Sequence, residues 1–397
     1  MPNVRQLAVL ATHPIQYQVP WFQLLSTRPE VSVKVYFSML PNQQQQGTGF
    51  GVPFEWDIPM FEGYVWEVLE NKARSPGLGR FFGTNTPSVY AQLARSRPDA
   101  VIITGWQSWS LLQGLWACMR LGIPTMIRAE SNALRNRLWW IQLAHRLLLS
   151  RFKAFLAIGA ANRDFYLRNG VSPHKIFSCR YFVDNVRIRA QYDTCIGSRG
   201  DLRKAWGIPP ESVCFLFAGK LQPKKRVLDL MNALRLAHSS QTAIHLLVVG
   251  TGELMEECLR LTNSFNLPVS FAGFLNQSEM AKAYAAADCL VLPSDFGETW
   301  GLVVNEAMVC GLPAIVSDRV GCGPDLVRDG VTGTIFPFGN VEALAQRMAI
   351  MACDREGRMA MGAQARQHIQ DYSVERAVEG TVEALDAITA SRPLPSA

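Results

Sequence analysis

Pro293-Ser294-Asp295-Phe296-Gly297-Glu298-Thr299-Trp300-Gly301-Leu302-Val303-Val304-Asn305-Glu306-Ala307-Met308-Val309-Cys310-Gly311-Leu312-Pro313 joins two short apolar runs of this chain. Ahead of it, Ala287 to Leu292 is a short apolar run of the kind that forms a buried strand. Behind it, Gly311 and Pro313 stop a helix, and Ala314 to Ser317 opens the next strand. The order is therefore strand, loop, helix, strand. A helix beginning near Gly301 directs its unpaired N–H groups, and the positive end of its dipole, at the loop, where a phosphate would be stabilised.

Two carboxylates flank that point. Seven residues lie between Glu298 and Glu306, which places Glu306 about 7–8 Å along the axis from the helix start. Acids so placed can accept hydrogen bonds from two hydroxyl-bearing parts of one ligand while the helix end holds phosphates between them. The plainer reading makes Glu298 a first-turn acid favoured by the dipole and Glu306 a solvated helix residue. It loses ground because Ala307, Met308, Gly311 and Pro313 surround Glu306 with core-like residues. The whole phrase resembles the E-x7-E motif of the large retaining glycosyltransferase family 4. That resemblance implies a GT-B fold: two Rossmann-like parallel α/β domains facing across a cleft.

Further matches follow in order along the C-terminal half. Val213 to Ala218 reads as a strand and ends in Gly219-Lys220-Leu221-Gln222-Pro223-Lys224-Lys225-Arg226. Four cations in eight residues at a helix start oppose the dipole and call for an anion to offset them. The loop is similar to the family's G-R-L-x-x-x-K phrase, with Lys220 replacing the usual Arg. The resemblance implies that Lys220 and Lys225 hold the donor pyrophosphate and stabilise the charge that develops as it leaves. It also implies that Glu306 holds the ribose and Glu298 a hydroxyl of the donor sugar, with Gly219, Thr299, Trp300, Gly301 and Leu302 completing the donor side. Gly250-Thr251-Gly252 follows the strand Ala243 to Val249 but is no dinucleotide fingerprint, because Met255 stands where its third glycine belongs. Gly250 and Gly252 instead permit a tight turn and close backbone approach. Phe274 and Leu275 fall in the segment that, in the family, borders the nucleobase; whether that base is uracil or guanine stays open.

The first half alternates strands and helices, with strands at Gln6 to Thr12, Val31 to Phe37, Ala100 to Thr104, Pro124 to Ala129 and Ala154 to Ile158. Ligands of open parallel sheets meet the loops after strand carboxyl ends. His13, Gln16, Trp106, Arg128 and Glu130 lie in such loops and are the acceptor-side candidates, since saccharides need aromatic faces and paired polar groups. This half departs from the family pattern: the usual Gly-Gly loop and second-loop histidine are replaced by His13-Pro14-Ile15-Gln16-Tyr17 and Gly105-Trp106. Pro41 to Trp56 and Arg74 to Pro87 are long loops, which in compact domains are more often functional than idle. The expected division is residues 1–185, residues 186–370, and a C-terminal helix from 371 that returns to the first domain and ends in a polar tail.

Composition agrees with two globular domains: 397 residues, 48% hydrophobic and 18% charged. A net charge of +6 suits acidic substrates or an anionic membrane surface and is too mild to indicate nucleic acid, for which no signature is present. Nine cysteines without C-x-x-C or His/Cys clustering point to a reduced cytoplasmic protein that binds no metal and no cofactor. No signal peptide or membrane span is expected. Arg135 to Trp140, with Leu143, Arg146, Leu147, Leu148, Arg151 and Lys153, combines cations with Trp as interfacial helices do, which suggests peripheral contact with an anionic membrane. The competing expectation buries Leu143 and Leu147, at i and i+4, against the sheet.

The resemblance thus implies a retaining transfer of sugar from a UDP- or GDP-linked donor to a saccharide or lipid-linked saccharide, in cell-surface polysaccharide or glycoconjugate synthesis. Two alternatives stand beside it. A GT-B nucleotide-sugar epimerase is opposed by the E-x7-E phrase, and a non-catalytic nucleotide-sugar-binding subunit by the intact Lys220, Lys225, Glu298 and Glu306.

Overall fold

The computed structural model describes residues 4–238 and 243–390. Most of the polar tail expected at the C-terminus lies outside these residues. The chain forms two units: residues 4–45, 59–181 and 374–390 make the first, and residues 46–58 and 182–373 the second.

The first unit is a parallel sheet of β1 (Arg5–Ala11), β2 (Val31–Phe37), β3 (Val65–Val68), β4 (Ala100–Ile103), β5 (Thr125–Ile127), β6 (Ala154–Ala157) and β7 (Ile176–Ser178), in the order β3-β2-β1-β4-β5-β6-β7. In β1, β4, β5 and β6 runs of three to five consecutive residues are buried, the pattern of strands covered on both faces. Sequence patterning finds these and misses β3 and β7. Both are edge strands of four and three residues with no fully buried side chain, too short to set a clear period. The helix Val374–Thr389 belongs to this unit. A Cβ on Gly380 would fall 1.7 Å from the Ser178 carbonyl oxygen, so only glycine lets the helix seat against β7. The Trp21 indole N–H donates to Thr381 Oγ1 on the same helix at 3.2 Å.

The second unit has β8 (Val213–Ala218), β9 (Ile244–Val249), β10 (Val269–Gly273), β11 (Cys289–Leu292), β12 (Ala314–Ser317) and β13 (Gly333–Phe336), all parallel, in the order β10-β9-β8-β11-β12-β13. The Asp184 side chain caps the helix Asn185–Ile196 by accepting the Arg187 backbone N–H at 2.9 Å. Both sheets reverse strand order once, between β1 and β4 and between β8 and β11. A ligand of a parallel sheet is received at such a point, at the carboxyl ends of the strands.

The expectation that Leu143 and Leu147 bury against the sheet is overturned. They are 50% and 60% exposed on the helix Trp139–Leu149, where Leu149 is the buried residue. Trp139 is 75% exposed and Trp140 54%, so this helix turns most of its apolar residues to solvent. No described helix is long and apolar enough to cross a membrane.

Candidate donor site

The decisive stretch occupies the strand-order reversal of the second unit. Gly301, at φ +106°, turns the chain into the helix Leu302–Val309, whose residues from Val304 on are buried. A Cβ at Gly301 would lie 2.8 Å from the Leu292 side chain, so the tight entry requires glycine. The loop ahead of it is held by backbone bonds from the segment after β12: Gly321 N–H to the Glu298 carbonyl at 3.1 Å, and Cys322 N–H to the Trp300 carbonyl at 2.9 Å. The Trp300 side chain points inward, 3% exposed, and its indole N–H donates to Asn305 Oδ1 at 2.8 Å. Its part on the donor side is thus confined to its backbone and to shaping the turn.

The loop after β8 meets this one. The backbone N–H of Asp295 donates to the Lys224 carbonyl at 2.9 Å, and the Lys225 ammonium pairs with Glu298 Oε2. The two side chains are 14% and 15% exposed, so water screens them poorly. Ser294 Oγ donates to the same Glu298 oxygen at 3.4 Å. Burial lowers the Lys220 pKa, and repulsion from Lys224 and Lys225 lowers it further. An anion arriving among these lysines relieves that repulsion. Part of the offset that the cation cluster demands is internal, supplied by Glu298.

Glycines fix the backbone beneath. A Cβ on Gly250 would meet the Gly219 carbonyl oxygen at 2.1 Å, and one on Gly252 would meet Leu221 backbone atoms within 2.8 Å. The loops after β8 and β9 therefore pack main chain on main chain, joined by Gly219 N–H to Val249 O and Leu221 N–H to Thr251 O, both 2.9 Å.

Glu306 is 2% exposed and accepts the Tyr284 hydroxyl at 2.5 Å. Sequence reasoning passed over Tyr284; its signal is that it is the one aromatic in the alanine-rich helix Met280–Ala286. Sequence reasoning also missed the segment 46–58, which the long loop Pro41 to Trp56 only hinted at. Phe54 and Phe50 lie on the Phe274 ring at centroid distances of 4.4 and 5.0 Å. The Lys220 ammonium donates to the Thr48 carbonyl at 2.5 Å and stands 4.8 Å from the centre of the Phe50 ring. Thr251 Oγ1 donates to the Phe50 carbonyl, and Asn276 Nδ2 to that of Glu55 at 2.6 Å. This strap touches three groups singled out from the sequence: Lys220, the Gly250 to Gly252 turn and Phe274. Leu275 is half-buried beside Phe274.

The acceptor-side candidates of the first unit do not form one constellation. His13 is half-buried, its Nδ1 2.9 Å from Thr12 Oγ1, and burial depresses its pKa to about 4, so the ring is neutral. Gln16 is half-buried in the same loop. Trp106 stacks on Phe165 at 6.1 Å and packs against the core. Arg128 is 2% exposed, its guanidinium between the Trp21 and Tyr181 rings at 5.2 and 4.7 Å. Glu130 accepts the Tyr181 hydroxyl at 2.5 Å. Trp106 and Arg128 thus face the interior. Among the described residues, no group of three or more His, Cys, Asp or Glu side chains could hold a metal ion, and all nine cysteines are free.

Residues 198–368 match the family model of group 1 glycosyl transferases, and residues 34–178 that of a glycosyl transferase 4-like domain. Over 311 residues the chain is 32% identical to sulfoquinovosyl transferase of Arabidopsis thaliana, covering 72% of this chain and 56% of that protein. Over 198 residues it is 31% identical to D-inositol 3-phosphate glycosyltransferase of Saccharomonospora viridis, covering 47% and 46%. The chain spans about half the length of the curated relatives it matches. Its fold is similar to that of Anabaena HepE, solved with UDP and glucose: TM-score 0.70 at 18% identity, over 96% of this chain and 100% of that one. Sucrose-phosphate synthase from Thermosynechococcus elongatus gives 0.69 at 17%, over 98% and 100%.

Proposed function

We propose, for a chain that belongs to the GT-B glycosyltransferases of the family 4 type, the transfer of a sugar from a nucleotide diphosphate donor to a hydroxyl of a saccharide or lipid-linked saccharide, with retention of anomeric configuration. The observation that carries this reading is the meeting of Lys225 with Glu298 at the strand-order reversal, ahead of the N-terminus of the helix Leu302–Val309. The glycosyltransferase names of the relatives support the reaction class.

As the bond between the sugar and the diphosphate breaks, negative charge grows on the leaving oxygen. Groups already aimed at that oxygen stabilise the transition state more than the ground state. Lys220, Lys225 and the first helix amides take that part, and so the reaction needs no metal or cofactor. Glu298 holds a donor-sugar hydroxyl while steadying Lys225. Glu306, fixed by Tyr284, holds the ribose. No protein nucleophile is assigned; the leaving phosphate accepts the proton of the incoming hydroxyl on the face it departs from, which retains configuration. The solvent-facing Trp139, Trp140, Leu143 and Leu147 favour a peripheral seat on an anionic membrane, on its cytoplasmic face, and with it a lipid-linked acceptor.

A panel of labelled UDP- and GDP-linked sugars, with glycan and lipid-linked acceptors and excess chelator, tests the reading. The expected result is acceptor-dependent transfer with the donor's anomeric configuration in the product. An inverted product removes the retaining mechanism, and acceptor-independent release of sugar or of an altered donor favours the epimerase.

A further inference from the structure

The long loop after β3 and the first turn of the helix Trp109–Leu121, which follows β4, line an open cavity of about 450 Å³ in the first unit. This is within the range of about 300–1,000 Å³ for small-molecule sites. It stands at the carboxyl ends of parallel strands, where such sheets receive ligands. Phe81, Phe82 and Trp109 line it with rings 4.8 to 6.3 Å apart, yet they are 39%, 71% and 39% exposed. Arg74 and Arg80 complete the wall. Neither has a carboxylate partner among the described residues.

The support beneath is rigid. Thr84, Ser108 and Ser110 are buried and their hydroxyls lie 2.7 to 2.8 Å from one another. Asn85 on the wall is fixed twice, by Asn71 Oδ1 on its N–H at 2.9 Å and by Gln113 Nε2 on its Oδ1 at 2.8 Å. Gly83 closes the loop, since a Cβ there would fall 1.9 Å from the Gly77 carbonyl oxygen. A preformed platform of exposed rings suits the C–H faces of a sugar. Two planar guanidinium groups beside it suit carboxylate or phosphate oxygens, which they can bind in pairs.

We infer that this cavity holds the acceptor, and that the acceptor is an acidic saccharide bearing carboxylate or phosphate groups. The inference rests on the glycosyltransferase reading for the need of an acceptor, and on the first unit alone for its chemistry. Calorimetric titration with oligogalacturonate and with neutral malto-oligosaccharide tests it, with UDP and GDP binding measured in parallel on the same protein. Oligogalacturonate is expected to bind at least tenfold more tightly than the neutral oligomer. Arg74→Gln/Arg80→Gln should remove that preference, and Phe82→Ser should weaken binding at least fivefold, with nucleotide binding unchanged in both. Equal affinity for the two oligomers, no binding of either, or acidic binding unaffected by the arginine pair overturns the inference. So does binding of anionic vesicles but not of oligogalacturonate. If either nucleotide binds while these arms fail, the donor reading survives and the acceptor inference alone falls; failure of both nucleotides strikes the function reading itself.

Discussion

The two sheets reverse strand order at the same ordinal place, yet the loops there are built on opposite plans. In the second unit glycines supply the rigidity: Gly250 and Gly252 let the loops after β8 and β9 pack backbone on backbone, Gly301 turns the chain beside the Leu292 side chain, and Lys225 pairs with Glu298 above them. In the first unit polar and aromatic side chains after the strands supply it. Arg128 fills the space between Trp21 and Tyr181, and Trp106 lies on Phe165. The difference teaches that charged residues after the strands pair with one another where glycines brace the loops, and become the packing itself where, as at Arg128, they do not.

The largest effect tests the second unit. Lys225→Ala should lose about 2–5 kcal/mol of transition-state stabilisation with little change in unfolding midpoint. That corresponds to a fall in kcat/KM from about 30-fold to several thousand-fold. Turnover within a fewfold of wild type, in an equally stable protein, would remove Lys225 from the reaction. The mirror experiment is Arg128→Ala, which should destabilise the fold by about 2–5 kcal/mol, the range for truncating a large buried side chain, and leave nucleotide binding intact. Normal stability with lost activity would make Arg128 a ligand contact and break the contrast.

Each unit also carries a histidine whose pKa burial lowers from 6.5 to about 4, His13 in the first and His245 in the second. The unfolded chain takes up these protons below pH 6.5 and the folded one not until about pH 4. Stability is therefore full above pH 6.5 and declines as pH falls toward 4, by up to about 3 kcal/mol for His245, which is 5% exposed. Denaturant unfolding of wild type and His245→Gln across this window measures it; identical pH slopes would show that His245 is not responsible. The smallest effect concerns the exposed helix Trp139–Leu149. Charge reversal of Arg135 and Arg137 should weaken sedimentation with anionic vesicles about tenfold or more at low salt, with the difference shrinking as salt rises. Equal, low sedimentation of both proteins would return this face to ordinary surface.

The parallel winding and the phrase from Glu298 to Glu306 were legible because each is local: an apolar run, a glycine at a turn, a fixed spacing. What escaped was long-range or unpatterned. Edge strands β3 and β7 bury too little to leave a period. Tyr284 reaches Glu306 from another helix, and Phe54 reaches Phe274 from more than half the chain away. The inward turn of Arg128 depends on Trp21 and Tyr181, which only the closed sheet brings to it. The outward turn of Leu143 and Leu147 was equally hidden, because an amphipathic spacing does not say which side is solvent.

The strap at residues 46–58 also constrains the order of synthesis. The chain passes from one unit to the other at 45/46, 58/59, 181/182 and 373/374. During synthesis the strap therefore emerges long before the sheet that receives it, with Phe50, Phe54 and Trp56 waiting for a seat that β8, β9 and β10 have yet to form. The helix Val374–Thr389, which seats against β7, emerges after both sheets. Neither product of a cut at residue 182 contains a whole unit: the N-terminal piece lacks a helix of its own, and the C-terminal piece exposes Phe274.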